Sequence, residues 1–249
     1  MFVFSCIVLW KISVAKRNPD KVYIRPIAGL KAIDEAVGRA AELGGPILFN
    51  PGTDDFTNIQ SLAALGVLEH VAKKCAVFGI PMIITTCKPV MVPICEDVIR
   101  SAFDEEGRPE LMHASDVLFI ATASDLAALG AAALMLDRKV SSVFLFGSYD
   151  YTSLLCSEGG KLAGCMQIAG TADYYQIPFF IASCDYVVMA EELFACASYL
   201  SRDPVMMGSI AGQDYGKLIL FCLLALGVVL STIYGIGNPL NGFERLFTY

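Results

Sequence analysis

Five turns rich in Asp, Ser and Thr could supply polar ligand-binding groups. They read NPGTDD at 50–55, TTCKP at 85–89, TASD at 122–125, GSYD at 147–150 and SCDY at 183–186, and each follows a short apolar run. Carboxylates and hydroxyls gathered in one crevice would bind a polar small molecule, either directly or through Mg²⁺, which prefers oxygen ligands. The candidate ligand-binding residues are Asp54, Asp55, Thr86, Asp125, Ser148, Asp150, Ser183 and Asp185.

The same residue types also have a purely structural role. Asp, Ser, Thr and Asn at a helix start accept hydrogen bonds from N–H groups that lack a partner within the helix. Each of the five turns is expected to open a helix, so capping alone predicts this composition. The sequence leaves both interpretations open.

Motifs that would specify a reaction are missing from the sequence. It contains no GxxxxGK[ST] loop, no GxGxxG and no GxSxG, and it has only two histidines. Cys87 beside Lys88 could be an activated thiol, but no base accompanies it, and the nine cysteines show no CxxC spacing typical of a zinc site. We therefore assign no catalytic residue, predict no metal site, leave the cofactor and the question of enzymatic activity open, and lean towards a non-enzymatic role.

Short apolar runs alternate with helical patterns between residues 16 and 203. The runs PILFN (46–50), PMIITT (81–86), VLFIAT (117–122), SVFLFG (142–147) and PFFIAS (178–183) are continuously apolar, as strands buried on both faces are. Helices are expected at 30–43, 59–79, near 95–104, and at 124–139, 152–169 and 188–201. This order predicts an α/β fold, a doubly wound, Rossmann-like parallel sheet of about five strands. Ligands of such sheets bind outside the carboxyl ends of the strands.

A long apolar segment follows this region. Residues 218–236 contain no charge, and as a helix they would measure roughly 28 Å, close to the thickness of a bilayer's hydrocarbon core. The segment predicts a transmembrane helix, followed by a short tail at 237–249.

The N-terminal segment, residues 1–15, is a second membrane candidate. Its apolar run MFVFSCIVLW stops at Lys11, which is too short for an ordinary spanning helix. A short or truncated anchor is the preferred interpretation, while a signal peptide and an element of the core stay open.

Gly208, Gly212 and Gly216 recur every four residues just before the apolar segment. On a helix they form one stripe without side chains, which lets another helix approach closely. Asp203 and Pro204 suit the first positions of a helix, so one helix should run from Pro204 through the connecting segment 204–217 into the bilayer. This continuity predicts rigid docking of the α/β domain to its anchor, and a homo-oligomer assembled through the stripe, alone or with other membrane subunits.

Basic residues flank both apolar segments on one side. Lys11, Lys16, Arg17, Lys21 and Arg25 follow the first, and Arg202 and Lys217 precede the second. The positive-inside rule therefore places the α/β domain in the cytoplasm, with the basic cluster near anionic headgroups of the cell membrane. The net charge of −7 argues against nucleic acid as a partner.

Two stretches carry a resemblance to a known family. YIRPIAGLKAIDEAVGRAAELGGPILFNPG at 23–52 and DPVMMGSIAGQDYGK at 203–217 resemble an uncharacterised prokaryotic family of membrane-anchored domains without an assigned function. The resemblance implies a domain with an anchor and carries over no catalytic residue. Two functions are therefore expected as alternatives: a self-associating scaffold subunit of a membrane assembly, or a ligand-binding or enzymatic domain that uses the polar strand ends.

Overall fold

The computed structural model describes residues 2–17, 28–111, 116–201 and 204–234. The chain divides into two compact units, one formed by Met1–Tyr23 with Pro204–Tyr249 and the other by Ile24–Asp203. The predicted tail at 237–249, the last residues of the predicted spanning segment, and Lys21, Arg25, Arg202 and Asp203 lie outside the described residues.

Helices and strands alternate through most of the chain. In chain order they are α1 (Phe2–Arg17), α2 (Ala28–Leu43), β1 (Ile47–Gly52), α3 (Ile59–Phe78), β2 (Met82–Thr86), α4 (Met91–Glu105), a 3₁₀ turn (Pro109–Leu111), β3 (Val117–Phe119), α5 (Ser124–Asp137), β4 (Ser142–Ser148), α6 (Ser153–Ala163), β5 (Met166–Thr171), α7 (Ile177–Ser183), β6 (Tyr186–Met189), α8 (Glu191–Ser201) and α9 (Pro204–Tyr234).

The six strands of the α/β unit form one parallel sheet. Their order is β3-β2-β1-β4-β5-β6, so the chain winds outward from β1 in one direction and from β4 in the other. Helix α3 contacts α2, α4 and α8 on one face, while α6 contacts α5 and α7 on the other. The structure confirms the α/β fold and the doubly wound topology, with six strands where the sequence predicts about five.

The predicted strand at 178–183 is wrong, because this segment is helix α7. Proline lies in its first turn, where the missing N–H costs nothing, and only Phe180 is buried while Phe179 and Ile181 are exposed. The fifth strand is instead Met166–Thr171, which overlaps the end of the predicted helix 152–169, and the helix itself ends at Ala163. A sixth strand, Tyr186–Met189, precedes α8, so the predicted helix 188–201 begins at Glu191.

The composition of β5 shows why its sequence does not resemble that of a typical strand. All six of its residues are buried, yet MQIAGT includes Gln, Ala and Gly, and Ile168 is its one large β-branched side chain. A Cβ at Gly170 would lie 2.5 Å from the ring of Phe146 on β4, so the space beside this strand is already filled by a neighbour. Close packing against Phe146 therefore accounts for glycine at position 170, where a typical buried strand would have a larger apolar side chain.

Two apolar layers cover the sheet. Phe49, Phe144 and Phe146 pack together with ring centroids 6.1–6.4 Å apart. The other layer joins the inner faces of α5, α6 and α7 to the strands through side chains that include Met135, Cys156 and Phe180. This core fixes the positions of the strand ends.

The second unit is built from α1 and α9. Helix α9 is continuous for 31 residues from Pro204, which confirms the predicted uninterrupted helix over its described length. Its stretch Pro204–Leu230 is long and apolar enough to cross a membrane and is mostly exposed.

Candidate functional site

The carboxyl edge of the sheet contains the topological switch point between β1 and β4. Here α3 leaves β1 toward one face and α6 leaves β4 toward the other. Gly52 (φ 91°) and Gly147 (φ 129°) let the two strand ends meet, because a Cβ at either would collide with the backbone of the other strand. At the switch point, the backbones of β1 and β4 are therefore in close contact.

Asp173 is the centre of the polar network at this edge. Its Oδ2 accepts hydrogen bonds from Ser148 Oγ (3.0 Å) and from the N–H of Tyr149 (2.8 Å), and its Oδ1 accepts one from Gln60 Nε2 (2.8 Å). Gln60 Oε1 in turn accepts from the N–H of Ala172 (2.8 Å). One carboxylate thus ties the end of β4 and the segment after β5 to the first turn of α3.

Asn50 makes a second set of bonds at the end of β1. Its Oδ1 accepts from the N–H of Gly52 (2.9 Å) and from the hydroxyl of Tyr149 (3.0 Å), and its Nδ2 donates to Thr85 Oγ1 (3.1 Å). Burial raises the pKa of Tyr149 well above its usual value, so the phenol stays a protonated hydrogen-bond donor. Asn50 and Tyr149 therefore hold three strand ends in place.

The acidic residues after β1 shape their own loop. Asp54 Oδ2 accepts from Asn58 Nδ2 (2.6 Å), and Asp55 Oδ1 accepts from the N–H of Thr57 (2.9 Å) as well as from its hydroxyl. Those bonds from Thr57 lower the pKa of Asp55. Both carboxylates thus have partners within the loop, while the side chain that caps α3 is that of Asn58, whose Oδ1 accepts from the N–H of Gln60 (2.9 Å).

The thiol of Cys87 is held in its neutral form. It is buried and donates to the carbonyl oxygen of Thr53 (3.1 Å). Burial raises the pKa of Cys87 despite the nearby ammonium of Lys88. These surroundings oppose the formation of a nucleophilic thiolate.

The other predicted rim residues divide between the two edges of the sheet. Thr86 is buried and accepts from the N–H of Lys88 (3.2 Å), Asp125 lies in the first turn of α5, and Asp150 is exposed after β4. Ser183 and Asp185 do not belong to this rim, because Ser183 ends α7 and Asp185 directly precedes the start of β6.

The opposite, amino edge receives these two side chains. Ser183 Oγ lies 2.7 Å from Ser157 Oγ, and Asp185 Oδ2 accepts from the N–H of Gln167 at the start of β5 (2.8 Å). The sequence places them at the carboxyl edge because it predicts a strand at 178–183, whereas this segment is helix α7 and is followed by the start of β6. An open cavity of about 620 Å³ lies beside Asp185, lined also by Glu35, Gly38, Arg39, Glu42, Met166 and Tyr186.

The sequence pattern does not reveal Asp173. It follows β5, whose small and polar residues hide the strand, so its position at a strand end is not evident from the sequence. Across the described ranges, no group of three or more His, Cys, Asp or Glu side chains is placed to hold a metal ion.

The glycine stripe of α9 packs against α1 of the same chain. A Cβ at Gly208 would lie 2.5 Å from Ile12 Cα, and one at Gly212 would lie 2.9 Å from Val8 Cα. Residues later in α9 thus contact residues earlier in α1, so the two helices are antiparallel. Gly216 is also buried. The predicted close approach of a helix occurs at Gly208 and Gly212, and the helix that approaches belongs to this chain.

Comparison with known proteins gives one family. No curated protein and no solved structure matches the chain. The match to the family extends over residues 1–239, which include both the α/β unit and the apolar helix. The chain therefore belongs to the family described as a domain of unknown function, DUF6754.

Proposed function

We propose that this protein is a membrane-anchored scaffold subunit that self-associates through the outer face of α5. Helix α9 anchors the chain in the cell membrane, and the α/β unit lies on the cytoplasmic side. The observation that carries the proposal is the apolar character of α5 on the side that the described residues leave uncovered.

The outer face of α5 is a stripe of exposed apolar side chains. Leu126, Leu129 and Leu136 are 57 %, 53 % and 49 % exposed, and Ala133 lies on the same stripe. The opposite side of the helix, which includes Met135, is buried in the core. A helix at a protein surface usually has polar residues on its outer face, and one that is apolar all round is usually buried. The stripe is thus suited to be covered by a partner.

The charge distribution favours a second copy as that partner. Between Asp125 and Asp137, α5 carries no charged side chain, while the segment 24–203 contains 12 basic and 22 acidic residues. Two copies that met through most of this acidic surface would bring like charges together. A two-fold contact between α5 stripes avoids that repulsion, because each copy offers the same uncharged surface.

The glycine stripe supports the anchor rather than the contact between copies. Gly208 and Gly212 are occupied by α1, so a second α9 would have to displace α1 to use them. The positive-inside rule supports the cytoplasmic placement of the α/β unit. Lys11, Lys16 and Arg17 lie in the part of α1 from which the chain continues into that unit.

Native mass spectrometry of the detergent-extracted full chain tests the proposal. We expect the parent to be a discrete oligomer and Leu129→Glu to be a monomer, because the carboxylate would be buried in the contact. The matched control is Leu43→Glu, which changes a leucine that is 63 % exposed on α2, the helix on the opposite face of the sheet. It should keep the oligomer.

A monomeric parent would refute self-association. An oligomer that survives Leu129→Glu would refute the role of α5. In the first case the alternative of a ligand-binding or enzymatic domain would be tested next at the carboxyl edge around Asp173.

A further inference from the structure

The unit formed by α1 and α9 has a cluster of basic and aromatic side chains beside its apolar end. The ammonium of Lys11 lies 3.7 Å from the centroid of the Tyr215 ring and 5.0 Å from that of Trp10. Trp10 and Tyr215 are 61 % and 50 % exposed. A cation held over two exposed rings marks one surface shared by both helices.

This cluster lies at the boundary between the charged and the uncharged parts of α9. The uncharged run begins at Leu218, three residues after Tyr215. Beyond Lys11 on α1, Lys16 and Arg17 are both exposed. The order from apolar helix to aromatic rings to basic side chains matches the order from hydrocarbon core to interface to headgroups in a bilayer.

The sign of its net charge distinguishes this unit from the rest of the chain. The segments 1–23 and 204–249 together contain six basic and three acidic residues, although the whole chain has a net charge of −7. Among the described residues of this unit, Asp214 is the one acidic side chain. The unit is therefore complementary to a negative surface, whereas the α/β segment is not.

We infer that Lys11, Lys16 and Arg17, together with Trp10 and Tyr215, form a binding surface for the headgroups of anionic phospholipids. The inference rests on the proposed membrane anchor. Phosphate groups would meet the ammonium and guanidinium groups, while the two rings lie at the level of the interface. A basic side chain near an anionic surface contributes enough attraction for roughly fivefold local enrichment of anionic lipid.

Trp10 is the only tryptophan of the chain and makes this surface directly observable. The full chain is reconstituted in vesicles that contain phosphatidylcholine and phosphatidylglycerol. Trp10 fluorescence is measured while either lipid, at equal mole fraction, carries brominated acyl chains that quench indole on contact. We expect brominated phosphatidylglycerol to quench about fivefold more efficiently than brominated phosphatidylcholine. This preference should shrink towards one in 1 M NaCl, because salt screens the attraction.

Charge removal tests the residues themselves. The triple variant Lys11→Gln, Lys16→Gln, Arg17→Gln should lose the preference. The control removes the same three charges from the α/β unit as Arg138→Gln, Lys139→Gln, Lys161→Gln and should keep it.

The outcomes separate the inference from the proposed anchor. Equal quenching by both lipids would overturn the lipid preference while leaving Trp10 at the membrane. Absence of quenching by either lipid would contradict the placement of this unit in the bilayer. A preference that persists in the triple variant and in high salt would assign it to other residues and overturn the inference as well.

Discussion

Gly208→Ala should loosen the contact between α1 and α9. The added Cβ would lie 2.5 Å from Ile12 Cα and 2.9 Å from Ile12 N, and both are backbone atoms that no rotamer change can move away. Restoring an ordinary contact requires the helices to separate by about 1 Å, which removes a quarter to a half of the dispersion energy of the facing atoms.

Two opposing terms set the size of this effect. Overpacking costs about 1–3 kcal/mol, while replacing a helical glycine by alanine gains roughly 1 kcal/mol. We therefore expect a net loss of about 1 kcal/mol in the local contact, equivalent to roughly fivefold faster opening. Hydrogen exchange of the α1 amides in the detergent-solubilised chain measures that opening.

The matched control is Gly38→Ala in α2. A Cβ at Gly38 meets nothing within 4 Å, so only the propensity gain of roughly 1 kcal/mol remains and α2 should exchange more slowly. The two substitutions are thus expected to act with opposite signs. If Gly208→Ala left α1 exchange unchanged or slowed it, the close packing of these helices would be refuted.

Three further substitutions or conditions test the α/β unit. Asp173→Ala should destabilise it by about 2–4 kcal/mol and lower its Tm by roughly 5–15 °C, because four donors lose this acceptor, whereas Asp150→Ala at an exposed position should change stability by less than about 0.5 kcal/mol. Gly52→Ala should lower the Tm at least as much as Asp173→Ala, since φ is 91° and the Cβ would meet the carbonyl of Ser148; an unchanged Tm would contradict the close approach of β1 and β4. Burial raises the pKa of five thiols to about 12, while unfolded thiols titrate near 8.5. The free energy of unfolding should therefore be constant below about pH 8 and fall by about 1.4 kcal/mol per pH unit for each thiol from about pH 9 towards 12; urea midpoints that stay flat from pH 8 to 10 would contradict this. These thiols are Cys75, Cys95, Cys156, Cys184 and Cys196.

The parts of the fold that the sequence predicts well are those in which local pattern and packing agree. Strands β1, β2 and β4 are apolar runs buried along most of their length, and α3 begins at a side-chain cap on Asn58 and ends at Gly79 with φ 69°. Helix α9 is predicted from Pro204 because proline favours the first turn of a helix and no further proline occurs before Tyr234.

The failures have a common cause in tertiary contacts. The ring of Phe146 fills the space beside Gly170 of β5, and the apolar run of α7 is long enough for a strand but is mostly exposed. The sequence does not single out Asp173, because its importance lies in bonds to residues 24 to 113 positions away along the chain. The partner of the glycine stripe is likewise not readable from the sequence, since spacing predicts a close helix but not whether it comes from the same chain.

Photocrosslinking in native membranes is the most direct test of the proposed contact between the α5 stripes of two copies. A photoreactive amino acid replaces Leu129, and a second sample carries it at Leu43. We expect a chain–chain adduct from position 129, with the label attached within residues 126–136 of the second copy, and none from position 43. Attachment to a different protein, or no adduct from position 129, would contradict it.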